Sequence, residues 1–256
     1  MATADTIPRP AEVTEVHTRL LRLALGVEDS RAYWAHLDPS VPTGPRAIQA
    51  FEQRWFGGKS LERVRALLAN FSVRYDTFPE ALAVLRRWDN MDRITRQLLC
   101  HWHLQLADPI YRRFTGEFLV QRREAFKPEF DRHVVTRWVT ATYPNRWSSA
   151  TVIQFASKLM SATSEAGLIT PKRDPRRPVV PRVSDAALEY MLYLLRGVQF
   201  QGSLTDNPYF ASVGLDLATL TARLSALPLI TYWRVANVDD FGWKYPSLGA
   251  WAEATR

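Results

Sequence analysis

The stretch WSSATVIQFASKLMSATSEAGLI, residues 147–169, predicts one long helix with a marked start and a marked stop. Ser148 is suited to the N-cap, because its hydroxyl can accept from a backbone N–H one turn on. At about 100° per residue, Val152, Phe155, Ala156, Leu159, Ala162, Thr163 and Ala166 gather on one side, with Ile153 and Met160 at its edges. The opposite side holds Gln154, Ser157, Lys158, Ser161, Ser164 and Glu165. Gly167 ends the helix, since glycine tolerates the left-handed conformation of a C-terminal cap.

Working outward, a helix over 128–142, opened by Pro128, and the turn 143–146 precede this element. Together they predict a helix-turn-helix. Ala-Gly-Leu-Ile follows, and then the tip TPKRDPRRPVVPRV, residues 170–183. Four prolines forbid a helix there but allow a short edge hairpin. Helix, helix and basic hairpin is the order of a winged helix. A small polar helix face can enter a major groove, where Gln, Ser and Lys reach base edges or phosphates. The expected DNA-binding residues are therefore Ser149, Gln154 and Lys158 on the helix and Arg146 in the turn. Lys172, Arg173, Arg176, Arg177 and Arg182 lie on or beside the wing. Arg122, Arg123, Arg132 and Arg137 add charge upstream.

The charge distribution agrees. Residues 111–185 hold 14 Lys/Arg against 7 Asp/Glu, whereas residues 1–110 hold 14 against 13 and residues 186–256 hold 5 against 6. The whole net charge of +7 thus sits in the middle block. A basic stripe on one element says more about partners than a high pI alone. A polar outer face is also what any bundle helix shows, and a Pro/Arg-rich loop is often a solvated connection. The coincidence of charge, helix order and basic tip in one block favours a nucleic-acid surface.

The rest reads as mainly helical. Residues 1–10 are a flexible lead, 11–126 an N-terminal helical bundle, 127–200 the winged-helix-like region and 201–256 a small α+β extension. Within the bundle, Val13, Val16, Leu20, Leu21, Ala24 and Leu25 suggest a helix over 11–25. A short helix is expected over 46–55, and further helices are expected behind Ser60, Pro79, Asn90 and Pro109. Ser184 caps a later helix, 215–227 is another, and 231–238 alternates as a strand. At 46% hydrophobic and 23% charged residues, the composition is that of a folded globular chain. A single cysteine, Cys100, excludes an intrachain disulfide, and no run nears the roughly 18–20 apolar residues of a membrane span. With no signal-peptide pattern at its start, the chain is expected in the cytoplasm, away from membranes.

Enzyme signatures are missing from the sequence. His101 and His103 fall about 200° apart on a helix and cannot chelate one ion from one face. No phosphate loop and no Gly-x-Ser-x-Gly occurs. Asp239-Asp240-Phe-Gly-Trp-Lys244 lacks the acid-x-Lys pair of nucleases and reads as a turn before a C-terminal helix. No catalytic residue, cofactor or metal is expected.

The run FLVQRREAFKPEF, residues 118–130, followed by Trp147-Ser and Glu165-Ala-Gly-Leu-Ile, resembles the BrxA family of BREX phage-defence systems. The leading segment 66–76 also fits that family, and the likeness spans roughly residues 50–200. It implies a small, mostly helical protein that binds double-stranded DNA, catalyses no reaction, and works beside other BREX proteins, including a methyltransferase. Two other readings stay open: a winged-helix transcriptional regulator, or a structural adaptor within a defence complex. An RNA partner is also compatible with the basic surface.

Overall fold

Short polar side chains set the starts of most helices, and the order of elements follows from them. The computed structural model describes residues 9–171, 173–235 and 238–255. The chain is mainly helical. In the first half run α1 (Arg19–Arg22), α2 (Val27–His36), α3 (Thr43–Glu52), α4 (Leu61–Phe71), α5 (Pro79–Arg87), α6 (Arg93–Ala107), α7 (Pro109–Arg113) and α8 (Leu119–Glu124). Then come α9 (Arg132–Thr142), α10 (Ser149–Glu165), α11 (Asp185–Arg196), α12 (Pro208–Ser212), α13 (Leu217–Leu224) and α14 (Leu248–Thr255). Two π-helical turns, Ser72–Asp76 and Phe114–Phe118, continue α4 and join α7 to α8. Ser60, Ser148 and Ser184 accept from the backbone N–H three residues on, and so fix the starts of α4, α10 and α11.

Helix α6 is the axis of the molecule. Leu98, Leu99, Cys100, Trp102 and Leu106 on it are fully buried. So are His101 and His103, and each finds two polar partners. His101 bonds the Tyr111 hydroxyl (2.9 Å) and Ser212 Oγ (2.8 Å). His103 bonds the Arg74 carbonyl (3.0 Å) and the Tyr190 hydroxyl (2.7 Å). Burial pushes the His101 imidazole down to about 3 and that of His103 down to about 4. Helices α2, α7 and α11 pack on α6, and α14 lies against α5 and α11. The buried side chains of residues 20–252 form one continuous cluster, so the N-terminal, middle and C-terminal stretches share a core.

Several local expectations are corrected. The helix expected over 11–25 shrinks to the single turn α1. Its first residues are extended instead: Ala11 forms a parallel bridge with Gln199, and Val13 N–H donates to the Leu106 carbonyl (2.8 Å). Tertiary partners take up backbone groups that a helix would have satisfied internally. The cap of α6 is Asp92, not Asn90, which turns the chain with a positive φ of 57°. The segment with Asp239 and Asp240 is a strand, not a turn. β1 (Ile230–Val235) pairs antiparallel with β2 (Val238–Trp243), with Tyr232 opposite Phe241 and Arg234 opposite Asp239. Residues 1–8 of the expected lead lie outside the described residues. Among the described residues, no helix is long and apolar enough to cross a membrane.

Candidate nucleic-acid interface

Asp131, whose side chain accepts from Val134 N–H (2.9 Å), starts α9 three residues later than the expected Pro128. The displaced segment has another task. Phe130 pairs with Arg176 through both backbone bonds, Phe130 N to Arg176 O (2.9 Å) and Arg176 N to Phe130 O (2.7 Å). Beyond α10, Thr170 N donates to Arg177 O (2.9 Å) and Val179 N to Leu168 O (2.7 Å). The order is therefore bridge segment, α9, α10, bridge segment, tip and returning bridge segment. The return edge is held on one side by 130 and on the other by 168–170. That is winged-helix connectivity reduced to isolated bridges. Sequence reading missed its third edge because Phe130 carries no strand signal of its own.

Helix α10 presents a buried and an outer face, with Ile153, expected at the edge of the buried side, exposed on the outer one. Val152, Phe155, Ala156, Leu159, Ala162 and Thr163 are buried, and Phe155 packs on Trp147 with ring centroids 4.4 Å apart. Gly167 ends the helix with φ 75°. Ser149, Ala150, Gln154 and Ser161 are exposed, and Ser157 and Ser164 are half-buried between them. Glu165 departs from expectation. Its carboxylate accepts from the backbone N–H groups of Gly26 (3.0 Å) and Val27 (2.7 Å), the first donors of α2. It is an anchor at a helix N-terminus, where a negative charge is favoured. Gln97 Nε2 adds a bond to the Glu165 carbonyl (2.8 Å). The C-terminal end of α10 is thereby fixed to the N-terminal half of the molecule.

The thirteen expected contact residues fall into two groups, with Lys172 outside the described residues. Arg132, Arg137, Arg173 and Arg182 are exposed on α9, the tip and the segment beyond it, with no ion pair among the described residues. Arg146 is exposed too. Its guanidinium lies 5.5 Å from the Trp147 ring centroid and donates to the Val16 carbonyl (3.0 Å). Lys158 is half-buried on the flank of α10.

The other arginines have partners within the fold. Arg122 donates to the carbonyls of Lys127 (2.7 Å) and Glu129, and so shapes the turn into Phe130. Arg123 donates to the carbonyls of Ala211 (2.9 Å) and Ser212 at the C-terminus of α12. Burial brings its guanidinium down to about 10. Arg176 reaches Asp174 (2.9 Å) and the Thr170 carbonyl (3.0 Å) and so braces the tip. Arg177 pairs with Glu129 (2.8 Å) and holds that carboxyl below its ordinary range. Among the described residues, five of the ten expected cations are therefore exposed with no ion pair.

Two grooves flank α10. One runs between α10, the start of α9 and the tip. It has a volume of about 610 Å³ and is lined by Arg132, Ser157, Ser161, Ser164, Glu165, Asp174 and Arg176, among others. The other runs between α10 and the α1–α4 pair. Its volume is about 950 Å³, and Arg22, Arg63, Arg65 and Lys158 line it with a single acid, Glu62. The cations of α1 and α4 were missed because their block of sequence has a net charge of only +1. Helical spacing puts Glu62 about 60° from Arg65 and about 100° from Arg63, and nothing local brings α4 beside α10.

Neither family models nor curated proteins match this chain. Among solved structures, it is similar to an uncharacterized protein from Magnetospirillum magneticum, with a TM-score of 0.56 and 17% identity over 71% of this chain and 97% of that one. At that identity the likeness is one of fold.

Proposed function

We propose that this protein binds double-stranded DNA without catalysing a reaction, and that it belongs, as its resemblance to the BrxA family implies, to a BREX-type defence system in the cytoplasm. The observation that carries the DNA reading is α10. It is a capped helix of 17 residues, set by a turn after α9 and followed by a bridged basic tip, with small polar side chains along its outer face. An α-helix is about 10–12 Å across with its side chains, and a B-form major groove is about 12 Å wide. Gln154 and Ser157 offer donors and acceptors to base edges, and Ser149 sits where a helix N-terminus favours phosphate. Arg132, Arg173 and Arg182 supply phosphate contacts around it.

The test places negative charge on that face. Ser157→Glu with Ser161→Glu leaves the buried face untouched. Duplex affinity in a low-salt mobility-shift titration is expected to fall at least about tenfold, one to several kcal/mol being typical of a disrupted groove contact. Unchanged affinity would remove α10 from the interface. A DNA footprint confined to one palindrome would instead identify a transcriptional regulator.

A further inference from the structure

We propose that the groove between α10 and the α1–α4 pair holds the second sugar-phosphate backbone of the same duplex, with Arg22, Arg63, Arg65 and Lys158 as its phosphate contacts. The inference rests on the DNA reading above and goes beyond it. A helix lying in a major groove has one phosphate backbone on each side. A protein that seats a helix there gains most when cations stand on both flanks, because phosphate contacts dominate affinity.

The two flanks of α10 differ in what they offer. On the tip side, Arg132 and Arg176 are balanced by Asp174 and Glu165. On the α1–α4 side, four cations face one carboxylate. Arg22, Arg63 and Arg65 are exposed, and none of the four forms an ion pair among the described residues. Arg63 Nη1 donates to the Arg22 carbonyl (2.8 Å), which ties α4 to α1 at the rim and limits the ordering that phosphate would impose. Lys158 joins this groove to the helix itself, since it stands about 100° round from Ser157. The anchoring of Gly26 and Val27 by Glu165 holds the two walls together. Among the side chains that line the two grooves, this flank carries the larger excess of cations.

The experiment compares three forms of the full chain on a labelled duplex of about two turns, titrated at salt concentrations from about 50 to 200 mM. They are the wild type, the Arg22→Ala/Arg63→Ala/Arg65→Ala variant, and the charge-preserving Arg63→Lys/Arg65→Lys variant. The alanine variant is expected to bind about ten- to a hundredfold more weakly at the lowest salt. Its slope of log K against log salt should be shallower by about 2–3, at about 0.9 per lost phosphate contact. The lysine variant should keep the wild-type slope, and thermal melts check that all three fold. A wild-type slope in the alanine variant overturns the proposal while leaving the DNA reading intact, provided that the Ser157→Glu/Ser161→Glu protein loses binding. Tighter binding of single-stranded RNA than of the duplex also overturns it. Failure of the wild type to bind any duplex would bring down the DNA reading and this inference together.

Discussion

The groove on the tip side of α10 and the groove on its α1–α4 side bound the same helix but differ in charge and in origin. The first is built almost wholly from the basic middle block, yet its cations are matched by Asp174 and Glu165. The second draws three of its four cations from a stretch of sequence with a net charge of only +1, and none of them forms an ion pair among the described residues. Charge counted along a sequence measures supply. Charge on a surface depends on which guanidinium groups the fold has already used. Arg122, Arg123, Arg176 and Arg177 belong to the richest block and are bound to carbonyls or carboxylates.

The largest way to break this comparison is to loosen the helix between the grooves. Phe155 is fully buried beneath α10. Phe155→Ala should destabilise the fold by about 3–5 kcal/mol, as large-to-small core changes do. Chemical denaturation measures this, and duplex binding should weaken on both flanks together.

Next comes Arg123→Ala, which strips the donors from two carbonyls at the end of α12. A loss of about 1–3 kcal/mol of stability is expected for uncovered polar groups. Duplex affinity per folded molecule should stay within about twofold. A large loss of affinity with intact stability would return Arg123 to the interface.

The core around α6 carries a pH dependence of definite sign. His101 and His103 have folded values of about 3 and about 4, below the unfolded value of about 6.5. As pH falls below about 6.5, the unfolded chain takes up protons that the folded one does not, so stability drops by up to about 1.4 kcal/mol per pH unit for each imidazole. Their contribution is complete above about pH 7 and is lost progressively towards about pH 4 for His103 and about pH 3 for His101. Melting temperatures should accordingly be flat from pH 7 to pH 8.5 with respect to these groups and fall below pH 6. A melt insensitive to pH between 7 and 4 would contradict the buried, neutral pair.

The smallest effect sharpens the comparison directly. Asp174→Asn removes one of the two acids that line the tip-side groove and leaves the charge of Arg176 without its carboxylate. Duplex binding should tighten about two- to fourfold at low salt and hardly at all at high salt, the scale of an exposed charge interaction.

What the sequence made legible was local. Ser148, Ser60 and Ser184 cap their helices because a cap is a bond across three residues. The inner face of α10 was readable because burial follows the helical period, and the basic tip because prolines interrupt it. What stayed hidden depends on distant partners. Glu165 looks like one more polar residue on α10 until Gly26 and Val27, over 130 positions away, meet it. The helix pattern over 11–25 was outweighed by pairing with 199 and 106. The Asp239 segment becomes a strand because β1 lies beside it, with Tyr232 donating to Asp239 (2.8 Å). Nothing local in Arg63 or Arg65 announces that α4 stands beside α10.

The central claim is that a duplex lies over α10, and its most direct test is the salt dependence of wild-type binding to duplex DNA beside the matching single strand. Binding at low salt is expected, with log K falling linearly in log salt at a slope of several units and the duplex preferred over the single strand. No shift with duplex at about 50 mM salt, or a salt-independent affinity, would contradict it.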